Sequence, residues 1–254
     1  MTSRSMKQGL MVLTVMVTVA VWPGHARAAD QDWSFTLAPY FWMSGLKGDI
    51  APFAGLPPTS VDASFSDVFD TLRMAFLLAG EARRGKFALV GDIQYYDLEA
   101  NAETPLPLYS GVALGTKVNL YSGGIAYRMA GDKEAFVDAV AHLRYSSIEV
   151  SVDFYEGLLP SLSGQSSENW LDPMLGIKAR QKIGDRWSVM GWAFVALGGD
   201  SDSTWDAMAA ASYQMTDRWQ AQLGYRYMVI DFAKDGFVYD MTHSGPMLGV
   251  SYAF

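Results

Sequence analysis

The chain has 254 residues, of which 50% are hydrophobic and only 18% are charged, and it contains no cysteine. This composition is too apolar for a disordered chain, and it excludes disulfides, a thiol nucleophile and a cysteine-bound zinc ion. The 27 acidic and 19 basic residues give a formal net charge of −8, which argues against nucleic acid as a partner.

Residues 1–28 have the pattern of a secretory signal peptide. Arg4 and Lys7 precede an apolar run at residues 10–21 that is too short to span a bilayer as a helix. Small residues at positions 26 and 28 form a cleavage site, so we expect cleavage after Ala28 and export of the chain. The sequence after this site has no apolar stretch of about 18 residues and therefore predicts no transmembrane helix.

The rest of the chain, residues 29–254, alternates apolar and polar side chains with a period of two. Odd positions from Trp33 to Met43 are almost all large and apolar, and similar alternation returns in later segments. This pattern is typical of β-strands with one oily face. It predicts ten strands, near residues 33–44, 71–83, 87–99, 115–129, 135–152, 168–183, 187–199, 204–216, 219–233 and 239–254.

The connections between these strands favour a membrane barrel over a soluble β-sandwich. Short polar turns at residues 84–86, 131–134, 184–186 and 216–218 alternate with generally longer loops near 44–70, 100–113, 153–168, 199–204 and 233–238. Short turns at one end and longer loops at the other are typical of outer-membrane barrels. The predicted fold is an all-β, transmembrane, antiparallel up-and-down barrel of about ten strands, with eight or twelve as alternatives.

Aromatic residues at the strand starts indicate a girdle at the periplasmic membrane surface. Phe87, Phe136, Trp187 and Trp219 each follow a short turn closely, and Trp33 opens the first strand. The last strand alternates and ends in Phe254, which is similar to the C-terminal signal that the barrel assembly machinery reads. Residues 113–128 break the pattern because charged and aromatic side chains share one parity there, so a switch or bulge is expected.

If the oily face contacts lipid, many charged residues point into the lumen. We expect a luminal set comprising Arg73, Glu81, Arg83, Asp92, Asp138, His142, Arg144, Asp172, Lys178, Arg180, Lys182, Asp206, Arg226 and His243. A barrel of eight to ten strands is just wide enough for side chains to fill it, so a packed, salt-bridged polar core is one interpretation. The other is a narrow passage for small solutes, in which Lys178, Arg180 and Lys182 attract anions.

A hydrolase at the outer rim, acting on lipid or peptide, is the alternative from a different class. His142 and His243 are the histidines left after export, and Ser146, Ser147, Ser244 and Glu149 lie near them in sequence. Neither histidine lies in a known catalytic motif, so the sequence assigns no catalytic residue. The aspartates at 200–206 lack the Gly turn and terminal Glu of an EF-hand loop, and the acidic stretches at 62–70 and 200–206 are interpreted as solvated loop acids, so the sequence predicts no metal and no cofactor.

Two predicted loops are unusually apolar. The segment at residues 52–58 contains three prolines, a phenylalanine and a leucine, and the loop at 153–168 contains five large apolar side chains. Such loops can cap the barrel mouth, bind a lipid or partner, or extend the strands beyond the membrane. For residues 61–65, which alternate, we expect strand extension.

Several sequence blocks resemble a family of proteobacterial outer-membrane β-barrel proteins to which no activity is assigned. The first block is Trp33-x-Phe35-x-Leu37-x-Pro39-Tyr40-x-Trp42, continued by Gly45-Leu46-x-Gly48. Residues 65–68, 81–85 and 91–92 match its next blocks, and the resemblance is clearest over residues 33–97. It implies a barrel in the outer membrane of a Gram-negative bacterium and implies no catalytic residue.

The sequence thus predicts an outer-membrane barrel with a structural or binding role or a narrow solute passage. The expected partners are outer-membrane lipid, lipopolysaccharide and, through Phe254, the barrel assembly machinery.

Overall fold

The computed structural model describes residues 32–53, 55, 57–103 and 108–254. The predicted signal peptide at residues 1–28 lies outside the described residues. Within the described residues there are twelve strands and one helix: β1 (Ser34–Trp42), β2 (Gly45–Ala51), β3 (Thr59–Ala63), α1 (Phe65–Thr71), β4 (Leu72–Arg84), β5 (Phe87–Ala102), β6 (Tyr109–Gly131), β7 (Ala135–Glu156), β8 (Leu162–Lys182), β9 (Trp187–Ala196), β10 (Ser203–Gln214), β11 (Trp219–Lys234) and β12 (Phe237–Ala253).

Ten of these strands form a closed antiparallel barrel, which confirms the predicted fold and strand number. β1 pairs with β4, each strand from β4 to β12 pairs with the next, and β12 pairs back with β1. β2 continues the line of β1 along β12 after a break at Met43 and Ser44, and β3 forms a hairpin with β2. β2 and β3 therefore extend the wall at the loop end rather than adding to the circumference.

The two ends of the barrel differ as predicted, although the loops are shorter than expected. Gly85 and Gly131 adopt positive φ angles in the short turns, where glycine avoids the strain of a side chain. At the opposite end, β7 continues to Glu156 and β8 begins at Leu162, so most of the predicted 153–168 loop is strand. Residues 61–63 are strand, as expected, but Phe65 begins α1 instead. Among the described residues no helix is long and apolar enough to cross a bilayer.

The outer surface carries an apolar belt because alternate residues of every barrel strand point away from the lumen. The belt includes exposed Phe35, Leu37, Leu89, Ile93, Ile125, Leu143, Leu175, Leu223 and Leu248. Aromatic pairs border it towards the short turns, at Phe87–Tyr127, Trp187–Tyr213 and Trp219–Tyr252, and towards the loops, at Tyr121–Tyr145 and Trp205–Tyr227. Such a belt with aromatic borders matches the hydrocarbon layer of a membrane.

Beyond this belt, several strands project past the loop-side aromatic border. Lys117 on β6 pairs with Glu149 on β7 at 2.9 Å, and both side chains are partly exposed. β6 and β7 keep a continuous register from Gly111 to Arg128, so the switch of facing expected within residues 113–128 is wrong. The charged and aromatic side chains share one parity because they all point to the outer face. They lie at different heights on it, so the charged side chain is outside the apolar belt.

The lumen is polar near the short turns and apolar near the loops. Along β11 the inward side chains run from Gln220 and Arg226 to Met228, Ile230 and Phe232. The last three belong to a buried core inside the barrel, to which Leu120, Ile148, Trp170, Phe237, Tyr239 and Met241 also contribute. The rings of Trp170 and Phe232 stack with centroids 4.1 Å apart. Each such buried side chain contributes about 1.5–3 kcal/mol through removal of apolar surface from water.

Candidate binding cavity in the barrel lumen

A cavity of about 270 Å³ lies in the polar part of the lumen, below the apolar core. The strands around the barrel line it with a mixture of charged and apolar side chains. It shares Thr36, Arg180, Gln220 and Ser251 with a wider recess among the short turns. The cavity is therefore accessible from the short-turn end, while the buried core closes it towards the loops.

Asp206 is the centre of the charged layer between the cavity and the apolar core. Its carboxylate accepts hydrogen bonds from Arg144 Nη2 at 2.6 Å and from Arg226 Nε and Nη2 at 3.0 and 2.7 Å. The indole of Trp192 donates a further, longer bond of 3.3 Å. The Arg226 guanidinium also lies 4.7 Å from the ring centre of Trp42, a cation–π contact. Burying two cations around one anion requires this dense hydrogen bonding because desolvation of each charge is costly.

A second polar group joins this layer from the opposite wall. The Tyr40 hydroxyl donates to Asp92, with O–O distances of 2.8 and 3.1 Å, and Gln94 Nε2 donates to the same carboxylate at 2.6 Å. Arg226 Nη1 donates to the Tyr40 oxygen at 3.2 Å. The hydroxyl thus links the Asp92 carboxylate to the Asp206 cluster across the barrel.

Nearer the short turns, a chain of ion pairs crosses four strands. Glu81 pairs with Lys178 at 2.8 Å and with Arg83 at 2.7 Å, and Arg83 pairs with Asp138 at 2.5 Å. Arg128 also pairs with Asp138 at 2.5 Å, and its guanidinium lies 4.0 Å from the ring centre of Phe136. The salt-bridged interior that the sequence suggested is therefore present in this half of the lumen.

Two polar atoms beside the cavity have no hydrogen-bond partner among the described residues, namely Arg180 Nε and His142 Nε2. The cations on either side of Arg180 along β8 are already ion-paired. Lys178 pairs with Glu81, and Lys182 pairs with Glu134 at 2.6 Å. No ion pair of Arg180 is found within the described part of the chain. The three cations predicted to lie in a row thus share a face, but among the described residues only the middle one has no ion-pair contact, although Glu134 acts on it electrostatically.

The remaining predicted luminal residues have different surroundings. Asp172 is fully buried near the loop end, where it accepts hydrogen bonds from the backbone and hydroxyl of Ser201 and from the Thr204 hydroxyl, and so anchors the β9–β10 connection. Arg73 is not luminal. It lies at a β-bulge, is mostly exposed, and pairs with the outward-facing Glu99 at 2.7 Å. The bulge breaks the alternation from which its inward position was predicted.

Sequence reasoning also misplaced Phe136 and missed two residues of the site. Phe136 lines the cavity instead of joining the outer girdle, because it keeps the inward parity of Asp138 and His142. Arg128 and Tyr40 were not among the predicted luminal residues. The parity of Tyr40, which alternates with the outward Leu37 and Phe41 positions, was the signal that could have placed it inside.

The histidines do not form the arrangement expected of a rim hydrolase. His142 is in the cavity wall with its ring against Phe194, and His243 Nε2 lies 2.9 Å from the Tyr239 hydroxyl inside the apolar core. No histidine is hydrogen-bonded to a serine in the described ranges. No group of three or more acidic or histidine side chains in those ranges is placed to hold a metal ion.

Two side chains in the turns at the open end have shifted pKa values. Asp132 accepts hydrogen bonds from the backbone N–H groups of Glu134 and Ala135, and these bonds lower the pKa of its carboxyl below the usual value. Arg218 Nη1 donates to the Tyr252 hydroxyl at 3.2 Å, a bond that raises the pKa of the guanidinium. Both side chains therefore stay charged at neutral pH at the short-turn end.

Comparison with known proteins supports the architecture. No protein-family model and no curated protein matches the sequence, so the resemblance to the proteobacterial family stays a prediction. The outer membrane protease OmpT from Escherichia coli has a similar structure, with a TM-score of 0.57 and 10% identity over 91% of this chain and 99% of that one. Ail of Yersinia pestis matches with a TM-score of 0.39, 10% identity, and coverage of 88% and 99%. The likeness to OmpT agrees with the closed antiparallel barrel described above.

Proposed function

We propose that the protein is an integral β-barrel of the Gram-negative outer membrane that binds a small molecule in a lumen open only to the periplasm. The apolar outer belt with its aromatic borders supports insertion into a membrane. Both ends of the described chain lie at the short-turn end, which is the periplasmic end in outer-membrane barrels with an even number of strands. Outer-membrane lipid and lipopolysaccharide are then the surroundings of the belt, and the exposed Phe254 is available to the assembly machinery.

The observation that carries the binding role is the buried apolar core across the loop half of the lumen. A passage for ions would have to cross the layer that contains Trp170, Phe232 and Ile148, each at most 2% exposed. Close-packed apolar side chains leave no path for hydrated solutes. We therefore favour a blind cavity over the narrow passage, and we expect the cation row on β8 to serve binding instead of conduction.

The hydrolase alternative has weaker support. OmpT is a protease, but at 10% identity the likeness concerns the fold alone. A rim hydrolase needs its nucleophile and base exposed at the loop end, whereas His142 and His243 are both buried in the barrel.

Two measurements test the proposal. Heat-dependent gel mobility and recovery in carbonate-washed outer membranes test the location, and we expect a folded band that shifts on boiling. A soluble periplasmic pool would contradict it. Planar-bilayer recording tests the closed lumen, and we expect silence from the refolded protein, whereas discrete, reproducible steps would refute the blind cavity.

A variant pair makes the bilayer measurement sharper. Trp170→Ala combined with Phe232→Ala removes the stacked rings from the core and should create conductance where the unmodified protein has none. Leu171→Ala is the matched control, because Leu171 is the next residue on the same strand and faces outward. The control should stay silent.

A further inference from the structure

We infer that the luminal cavity binds a small carboxylate with a compact apolar body, and that Arg180 is the residue that pairs with the carboxylate. This inference rests on the proposed binding function and names its ligand class. Three features of the cavity support it: its charge balance, its polar atoms without hydrogen-bond partners and its apolar wall residues.

The charge balance of the cavity favours one negative charge on the ligand. Four cations and three carboxylates line it: Arg144, Lys178, Arg180 and Arg226 against Glu81, Asp92 and Asp206. All three carboxylates are hydrogen-bonded to protein donors, and every cation except Arg180 has a carboxylate partner. Beside it, Arg180 and Lys182 share one carboxylate, that of Glu134 in the recess, which is ion-paired with Lys182 at 2.6 Å, so one positive charge of these two cations stays unbalanced. A monoanionic ligand would neutralise it, whereas a cation would add to the excess.

The donors that lack partners lie where such a ligand would be held. Arg180 lines both the cavity and the recess below it, so its guanidinium stands at the junction through which a solute from the short-turn end must pass. Its Nε is buried without a hydrogen-bond partner among the described residues. Nε2 of His142, farther along the wall, also lacks a partner among them, and it is a donor in the tautomer that carries the proton there. The Arg180 side chain as a whole is only partly buried and lines the cavity, so a bound carboxylate would supply the ion-pair partner that the wall does not. Guanidinium is well suited to this role because it binds carboxylates with two parallel N–H bonds.

Much of the remaining wall is apolar. Phe136, Val140, Met190 and Phe194 line the cavity beside these donors. Its volume of about 270 Å³ is just below the usual range of ligand pockets, about 300–1,000 Å³. An aromatic ring or a short hydrocarbon fits such a space, which the charged layer around Asp206 borders on the side of the apolar core.

Binding of 4-fluorobenzoate to the full chain refolded in lipid nanodiscs tests this inference, with ¹⁹F NMR as the readout. The neutral 4-fluorobenzamide and the cationic 4-fluorobenzylamine have the same ring and differ in charge. We expect saturable binding of the carboxylate, weaker binding of the amide and none of the amine. Equal binding of the amide, or no saturable binding of the carboxylate, would overturn the inference.

Arg180→Gln tests the assigned residue. Because Arg180 has no ion-pair partner in the described structure, its loss leaves no buried carboxylate unpaired, and the barrel should fold normally. We expect the affinity for 4-fluorobenzoate to fall at least about tenfold, in line with the loss of a charged hydrogen bond. Arg73→Gln on the outer wall is the matched control and should leave the affinity unchanged. Unchanged affinity in Arg180→Gln would refute the assignment.

A cavity-filling variant provides a second readout that does not depend on Arg180. Ala79→Leu adds volume to the cavity wall and should abolish 4-fluorobenzoate binding while the heat-dependent gel shift is retained. If this shift and a silent bilayer are observed but the carboxylate does not bind, only the ligand class fails. If the protein does not insert, or conducts, the proposed function itself fails.

Discussion

Asp206→Asn tests whether the buried charges are held together as the structure indicates. The Asp206 carboxylate is 1% exposed and accepts three hydrogen bonds from the guanidinium groups of Arg144 and Arg226. Asparagine has nearly the same shape, but it removes the negative charge and replaces one acceptor oxygen with an N–H donor. The two buried cations would then lose their shared counter-charge, and one of them would face a donor.

The size of the effect follows from this burial. Removal of one partner from a buried ion pair costs about 3–5 kcal/mol, because the remaining charge stays desolvated. An exposed pair is worth only about 0–1 kcal/mol. The chain offers a matched control in Asp62→Asn, since Asp62 pairs with Lys47 at 3.1 Å and their side chains are 76% and 74% exposed. The same chemical change should therefore have very different consequences at the two positions.

Urea unfolding of the refolded barrel in lipid vesicles, followed by tryptophan fluorescence, measures both changes. We expect Asp206→Asn to lower the free energy of unfolding by about 3–5 kcal/mol and Asp62→Asn to lower it by less than about 1 kcal/mol. Addition of Arg144→Met to Asp206→Asn should recover part of the loss, because it removes one unpaired cation. Equal stabilities of the two aspartate variants would refute this account of the luminal cluster.

Three further predictions concern packing and local electrostatics. Gly124→Ala should impair folding, because a Cβ there would lie 2.2 Å from the Ala141 carbonyl oxygen, while Gly123→Ala, with nothing within 4 Å, should fold normally in a gel-shift assay. Phe232→Ala should lower the free energy of unfolding by about 3–5 kcal/mol, because it leaves a cavity in the luminal core. The Ser64 hydroxyl and backbone N–H donate to Asp67 and lower the pKa of its carboxyl. The resulting stabilisation of α1 is present above the ordinary carboxyl pKa and is lost as the pH falls through the lowered value, and Ser64→Ala should raise that pKa in an NMR titration.

Each of these predictions has an outcome that would contradict it. Normal folding of the Gly124 variant would mean that β6 and β7 can separate locally without cost. An unchanged stability of the Phe232 variant would indicate that the luminal core is not close-packed. If the Asp67 carboxyl titrates at the same pH with and without Ser64, the capping interaction does not hold the start of α1.

The alternation of side chains predicted the wall of the barrel well, because it reports which face of a strand a residue occupies. The outward positions of Phe35, Leu89 and Leu223 could be read directly from a period of two. The same alternation failed at Arg73, where a bulge inserts an extra residue. Phe136 was misplaced for a different reason, since its position after a turn was given more weight than its parity.

The apolar core inside the lumen could have been suspected from one feature of the sequence. Residues 227–232 read Tyr-Met-Val-Ile-Asp-Phe, so apolar side chains occupy both faces of β11 at its loop end. A strand with lipid on one side and water on the other would not have this composition. The signal is short, however, and periodicity does not report what fills the space behind a strand.

The sequence by itself determined the ten-stranded wall, the outward belt and the inward parity of nearly all the charged residues predicted to be luminal. Only the tertiary structure decided which of those charges meet, because the partners lie on different strands and far apart in the chain. Asp206 and Arg144 are 62 residues apart, and Lys178 and Glu81 are 97 apart. Barrel closure and strand register set the height of each inward side chain and the neighbours it faces across the lumen. For this reason Arg180 was predictable as a luminal cation, but its lack of a carboxylate partner beside an apolar cavity was not.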